Sequence, residues 1–144
     1  MLKLQTYLNF AGNTEDAFDF YKTVFGGEFS SLVRFKDMPM EGVTIPEEYK
    51  NGIMHISLPI GDDAVLMASD ALESFGQHVN IGNNVYIFVG TGSKEEADRI
   101  FEALSAGGLV EMPMAFQPWG DYYGSFQDKF GVLWMVSFAV PRLK

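Results

Sequence analysis

The chain has 144 residues and a mass of 16.1 kDa, the size of one ordinary domain. Hydrophobic residues make up 47% of it and aromatic residues 15%, which is enough apolar surface for a buried core and excludes a disordered chain. The formal net charge of −9 disfavours nucleic acid and anionic membranes as partners, and the lack of Cys excludes disulfides and thiolate chemistry.

The N-terminal segment predicts a strand. Apolar and polar residues alternate from Leu2 to Phe10, so one face of the strand is expected to be buried. A basic start followed by an apolar block, as in an export signal, is missing, and no run of about 18 apolar residues occurs further along. We therefore expect a soluble, cytoplasmic protein.

A helix is predicted after this strand. Asn13 is a candidate N-cap, Glu15 and Asp16 place acids in the first turn, and apolar residues follow at helical spacing. Gly26-Gly27 ends the helix. Three strands are then predicted: Phe29–Lys36, Ile53–Ile60 and Ala64–Ser69.

Two connecting segments differ in character. The insert from Asp37 to Asn51 carries prolines and acids without periodicity, which is typical of a lid, a ligand-contacting flap or a partner contact. Residues 71–83 join the two halves of the chain and are too short and too mixed for a domain linker.

The same order of signals returns in the second half. Val85–Val89 predicts a strand, and Ser93 with Glu96 forms a capping box in which the Glu96 side chain reaches back to the Ser93 amide. The candidate N-caps Asn13 and Ser93 lie 80 positions apart, as do matched apolar and glycine positions of the two helices. Three further strands are predicted: Leu109–Phe116, Tyr122–Gln127 and Val132–Phe138.

The chain is thus predicted to contain the βαβββ unit twice. Each unit needs a partner layer, because one sheet with one helix leaves its second face uncovered. Pro113 and Pro118 interrupt the second strand of the second unit, and a proline cannot donate to a sheet ladder. We expect that strand to lie at an edge or to break early.

This duplicated unit resembles the vicinal oxygen chelate superfamily of glyoxalase I, extradiol dioxygenases and the bleomycin- and fosfomycin-resistance proteins. The motifs that carry the resemblance are similar to the PhnB-like branch, whose members often bear the name 3-demethylubiquinone-9 3-methyltransferase. These motifs are Tyr7–Phe10, Phe20–Gly27, Met54–Leu58, Trp119-Gly120 and Asp128–Trp134.

The resemblance implies an α+β fold in which two βαβββ modules form half-barrel sheets, as in glyoxalase and bleomycin-resistance proteins. It implies one domain over residues 1–144, with module one at about 1–70, a connection at about 71–83 and module two at about 84–144. It also implies a homodimer, because dimers often complete the barrels in this superfamily.

Enzymes of the superfamily hold a divalent metal through four side chains on the first and last strand of each module. Carried over by the helix and turn positions, these places fall on Thr6, Met67, Tyr86 and Met135. None of them is a ligand for a hard or borderline divalent ion. A shift of one residue would bring Gln5 or Tyr7 inward, but it places no Glu or His beside Met67 or Met135. We therefore expect no metal and no other cofactor.

The remaining candidates each have a structural alternative. His55 lies in a predicted strand and could be a general base, or a histidine bound to a neighbouring carbonyl or carboxylate. His78 is expected to be solvated. Met and aromatic residues are concentrated in the second half, where they could line an adaptable apolar pocket or form ordinary core and dimer interface. The expected ligand lining is Thr6, His55, Met67, Tyr86, Trp119, Tyr122 and Met135.

The resulting expectation is metal-independent binding of a small, partly apolar organic molecule in the cup of the sheet. The first alternative is a metal-dependent lyase, isomerase or dioxygenase of the glyoxalase type. The second is a methyltransferase, although the glycines at Gly90 and Gly92 do not continue into a dinucleotide loop and no doubly wound parallel sheet is predicted.

Overall fold

A computed structural model of the chain describes residues 2–39 and 41–140. The fold consists of two compact units, Met1–Asn80 and Ile81–Lys144, each with one helix and one open four-stranded sheet. The last four residues of the predicted second module lie outside the described residues. The α+β class and the duplicated βαβββ order are confirmed.

In the first unit the sheet has the order β1-β4-β3-β2, in which β1 runs parallel to β4 and the other neighbours are antiparallel. Short 3-10 turns at Phe35–Asp37, Glu47–Tyr49 and Glu73–Phe75 interrupt the connections. The helix and strands are β1 Thr6–Phe10, α1 Thr14–Phe25, β2 Ser31–Arg34, β3 Ile53–Ile60 and β4 Ala64–Asp70.

The second unit repeats this topology with the order β5-β8-β7-β6, again with one parallel pair, β5 and β8. The elements are β5 Ile87–Thr91, α2 Lys94–Ser105, β6 Leu109–Phe116, β7 Tyr122–Gln127 and β8 Leu133–Phe138. The proline-bearing strand β6 lies at the edge of its sheet, as predicted, and its pairing with β7 slips around Met112.

The core of each unit lies between the helix and one face of the sheet. In the first unit α1 contributes Ala17, Phe18 and Tyr21, which are fully buried, against Ile56 and Leu58 of β3. Burial of such apolar side chains is the main term that stabilises the fold. In the second unit the most deeply buried hydrophobic residues are Ala97, Leu104, Phe126, Trp134 and Val136. None of the helices in residues 2–39 and 41–140 has the length and apolar character needed to cross a membrane.

The two helices begin differently from the sequence prediction. Ser93 does cap α2, since its hydroxyl accepts from the Glu96 amide, but the Glu96 carboxylate binds the Gly92 amide at 3.0 Å rather than that of Ser93. Asn13 makes no side-chain cap at α1. The first amide of α1, that of Thr14, donates instead to Asp70 at the end of β4, 3.0 Å away.

The first strand is shorter than the alternation suggested. Pairing of β1 with β4 starts at Thr6, because the side chain of Gln5, and not a backbone carbonyl, accepts from the Val65 amide at 2.9 Å. The predicted start at Leu2 is therefore corrected to Thr6. In the second unit β5 begins at Ile87, two residues later than predicted.

Candidate functional site

Each sheet has a face opposite its helix. Side chains alternate between the two faces of a strand, so the buried residues that contact the helix identify the other set by register. In the first unit Met67 is the cross-strand partner of both Tyr7 and Ser57. We call Tyr7, Asn9, His55, Ser57, Met67 and Ser69 the open face of the first unit.

The centre of this open face is a contact between Tyr7 and His55. The Tyr7 hydroxyl lies 3.4 Å from Nδ1 of His55, and the two rings stack with centroids 5.8 Å apart and an interplanar angle of 29°. Tyr7 is 47% exposed. An aromatic surface with one hydrogen-bonded polar end is therefore accessible from outside the unit.

The polar groups around this pair are uncharged. The hydroxyls of Ser30 and Ser57 lie 2.6 Å apart, and Ser69 Oγ donates to the amide oxygen of Asn9 at 3.3 Å. A cavity of about 520 Å³ runs along the free edge of β1 beside Tyr7 and is lined also by residues 77–80. Its volume lies in the range of small-molecule sites.

The second unit has an equivalent open face with different chemistry. Met135 is the partner of Phe88 and Ser125, which is the pattern that Met67 makes with Tyr7 and Ser57. Tyr123 lies on the same face and packs against Trp119 of the β6–β7 loop, with centroids 6.1 Å apart. This face presents rings and a thioether.

Tyr86 lies directly before β5 and has a polar partner. Its hydroxyl donates to the Glu111 carboxylate at 2.7 Å. This hydrogen bond to a negatively charged acceptor raises the pKa of the Tyr86 phenol above its usual value. The Glu111 carboxylate on β6 therefore favours the protonated form of the phenol.

Two residues of the expected lining face the helices. Thr6 pairs with Leu66, which is buried on the side of α1. Tyr122 is 7% exposed, and its hydroxyl donates to Asp98 of α2 at 2.5 Å while Lys94 Nζ lies 4.6 Å from the ring centroid. The structure brings His55 and Met67 together on one open face and places Met135 and Trp119 on the side of Tyr123.

The loops before the two helices differ in length. The helices are offset by 80 positions, but β1 and β5 are offset by 81, because three residues link β1 to α1 and two link β5 to α2. A one-residue shift turns every side chain of a strand to the other face. The offset of 80 therefore does not carry a position of β1 onto its equivalent in β5. The choice of Thr6 over Tyr7 is a separate one-residue error within the first unit, which only the pairing of Tyr7 with Met67 corrects.

The side chains at the positions of the superfamily's metal ligands do not fit a divalent ion. By register these positions are Tyr7 with Met67 and Phe88 with Met135. A phenol, a phenyl ring and two thioethers supply neither the carboxylate oxygen nor the imidazole nitrogen that Zn²⁺, Fe²⁺ or Mg²⁺ prefers. Across residues 2–39 and 41–140, no three His, Asp or Glu side chains are grouped for a metal.

Sequence comparison places the chain among known proteins. The profile of the family described as 3-demethylubiquinone-9 3-methyltransferase matches residues 2–137. Protein YjdN of Escherichia coli is 32% identical over 143 residues, with 94% of this chain and 95% of YjdN covered.

Solved structures show the same fold. Protein PA1353 from Pseudomonas aeruginosa is 36% identical with a TM-score of 0.84, covering 96% of this chain and 98% of that one. A putative 3-demethylubiquinone-9 3-methyltransferase, PhnB protein, from Bacillus cereus is 26% identical with a TM-score of 0.75 over 96% and 100% of the two chains. A glyoxalase/bleomycin resistance protein/dioxygenase family enzyme from Burkholderia phytofirmans shares the fold at 16% identity, with a TM-score of 0.58 over 94% and 98%.

Proposed function

This chain belongs to the PhnB-like family named 3-demethylubiquinone-9 3-methyltransferase, within the glyoxalase/bleomycin resistance/dioxygenase superfamily, and we propose that it binds a small, partly apolar organic molecule without a metal ion. The ligand is held against the open face of the first unit. The observation that carries the proposal is the exposed Tyr7–His55 pair beside Met67.

The chemistry of these side chains suits such a ligand. The stacked rings offer a flat apolar surface, and Met67 has a flexible, polarisable side chain that adapts to different shapes. The imidazole and the hydroxyl orient a polar group of the ligand. A site that is mostly apolar with a few placed polar groups is the usual form of a small-molecule pocket.

The same reasoning applies to the second unit by itself and to an assembly. Phe88, Met135, Trp119 and Tyr123 give the second unit an aromatic and thioether face of its own. The resemblance to a superfamily in which dimers often complete the barrels supports a homodimer, and we propose a cytoplasmic location as a separate expectation. Sedimentation equilibrium at micromolar concentration tests the assembly, and a monomer mass under those conditions would refute it.

The experiment that tests the binding proposal combines metal analysis with native mass spectrometry of protein purified without chelators. We expect substoichiometric metal and an adduct of small organic mass. Met67→Lys should lose the adduct, because it puts a charge on the apolar surface. The matched control Met38→Lys changes a Met that is 54% exposed outside the open face and should keep the adduct. One Zn, Ni, Fe or Mn per chain would overturn the proposal and favour a glyoxalase-type enzyme.

The family name suggests methyl transfer, and calorimetry addresses that alternative. Titration with S-adenosylmethionine should give no binding heat, since the described sheets are mixed and open and only Gly92-Ser93 separates β5 from the capped start of α2. Saturable heat with a stoichiometry of about one would count against simple binding of an organic molecule and in favour of a methyltransferase.

A further inference from the structure

The position of the imidazole proton on His55 decides what kind of ligand the open face of the first unit can recognise. We infer that Tyr7 holds His55 in the Nε2–H tautomer, so that the imidazole presents a single neutral donor to a carbonyl oxygen of the ligand. This inference rests on the proposed function. It makes His55 a specificity-determining donor and not the general base that its residue type suggests.

The direction of the Tyr7–His55 hydrogen bond follows from the two groups. A phenol is a stronger acid than a neutral imidazole N–H, and an imidazole nitrogen is a better acceptor than a phenol oxygen. The Tyr7 hydroxyl therefore donates to Nδ1 across the 3.4 Å separation. With Nδ1 accepting, the proton of the neutral ring lies on Nε2.

Among the described residues of the first unit, none accepts a hydrogen bond from this donor. Within residues 2–39 and 41–140, no side chain or carbonyl hydrogen-bonds to Nε2 of His55, while the ring itself stays stacked on Tyr7. The stack limits rotation of the imidazole and fixes the direction of its N–H. The donor thus points away from its hydroxyl partner and is available to a bound molecule.

The surroundings favour a neutral carbonyl over a carboxylate. The other hydrogen-bonded polar side chains of the open face are those of Ser57, Asn9 and Ser69, all uncharged. Three cations of this unit already form ion pairs with carboxylates: Lys22 with Glu28, Arg34 with Glu15, and Lys50 with Glu47. A ligand with an aromatic or alkyl body and one carbonyl oxygen matches the stacked rings, the thioether and the single N–H.

A matched pair of probes tests this ligand class. Acetophenone and ethylbenzene have nearly the same shape and differ in the carbonyl oxygen. Binding is followed by the shift of the ¹³C-methyl signal of Met67, assigned with Met67→Leu. We expect acetophenone to bind about 3- to 10-fold more tightly, the effect of one neutral hydrogen bond. His55→Phe keeps a ring against Tyr7 and should remove the preference.

Tyr49→Phe is the control, because it removes one polar ring group from the 3-10 turn Glu47–Tyr49, outside the open face and outside the cavity beside Tyr7. It should keep the preference for acetophenone. Equal affinity of the unchanged protein for both probes would overturn the carbonyl inference and leave the proposed function standing. If neither probe moved the Met67 signal, the proposed binding face itself would be refuted, and the inference with it.

Nitrogen NMR of the imidazoles tests the tautomer without any ligand. In ¹⁵N-labelled protein at a pH where His is neutral, the two rings give separate long-range ¹H–¹⁵N patterns, and His78→Phe identifies that of His55. We expect the Nε2–H pattern for His55 and a shift toward a tautomer mixture in Tyr7→Phe. An Nδ1–H pattern, or no response to Tyr7→Phe, would overturn the inference.

Discussion

The carboxylate of Asp70 should contribute more to stability than the residue that the sequence marks as the cap of α1. Asp70 is 5% exposed at the end of β4. Its Oδ1 accepts from the Thr14 amide at 3.0 Å and from the Thr14 hydroxyl at 2.6 Å, and its Oδ2 accepts from the Ile53 amide at 2.8 Å. One side chain therefore joins the start of α1 to the start of β3.

The expected cost of Asp70→Ala follows from these donors. Thr14 is fully buried and Ile53 is 1% exposed, so their two amides lose their acceptor where water does not easily replace it. Each unsatisfied buried donor costs about 1–3 kcal/mol, so the two amides together give a loss of about 2–6 kcal/mol when the hydroxyl finds another acceptor. Asp70→Asn should lose less, because its amide oxygen can still accept from Thr14.

Asn13→Ala is the comparison. A capping Asn is worth about 1 kcal/mol, but Asn13 is exposed and makes no side-chain cap, so we expect a loss below about 0.5 kcal/mol. Urea unfolding followed by circular dichroism gives both values from the transition midpoints, provided that the slopes stay equal. Losses of similar size for Asp70→Ala and Asn13→Ala would refute the assignment of the cap to Asp70.

Three further results are expected. Gly108→Ala should destabilise the fold strongly, because the added Cβ would lie 2.1 Å from the Gln127 carbonyl oxygen. Gly92→Ala has open space around the added Cβ and should change the unfolding midpoint little, so similar midpoints for the two variants would contradict this reasoning. Hydrogen bonds from Tyr122 and Lys94 lower the pKa of Asp98. Its contribution to stability is therefore present above about pH 4 and is lost as the pH falls further. In an acid titration, Asp98→Asn should lose less stability than the unchanged protein. The same hydrogen bond raises the pKa of Tyr122, so its contribution is present below about pH 10 and is lost as the pH rises through the raised value, and Tyr122→Phe should lack that alkaline loss.

The strands were the most predictable part of the fold. The bounds of Ile53–Ile60, Leu109–Phe116 and Tyr122–Gln127 agree with the prediction, because turn residues or prolines enclose a clear apolar pattern on both sides. The edge position of β6 followed from its proline. Local pattern determines these features, so a single sequence is enough to find them.

Features that depend on distant partners were not predictable. The cap of α1 comes from Asp70, 56 residues away in the chain, and no local motif marks it. Tyr122 has the residue type of a pocket lining, but Asp98 and Lys94 on α2 engage its hydroxyl and ring on the other face. A residue's type gives its possible chemistry, and only the register of its strand gives the face on which that chemistry acts.

The duplication also distinguishes the open faces of the two units. Met67 and Met135 keep the same cross-strand partners in the two units, but Tyr7 corresponds to Phe88 in the second unit. The position of His55 corresponds to Tyr123, because both lie two residues before the serine that pairs with the methionine. Phe88 has no donor, so the second unit cannot build the hydroxyl–imidazole pair. In our proposal the first unit therefore carries the oriented imidazole N–H, which the second unit lacks, while both units keep a methionine and an aromatic ring at these positions.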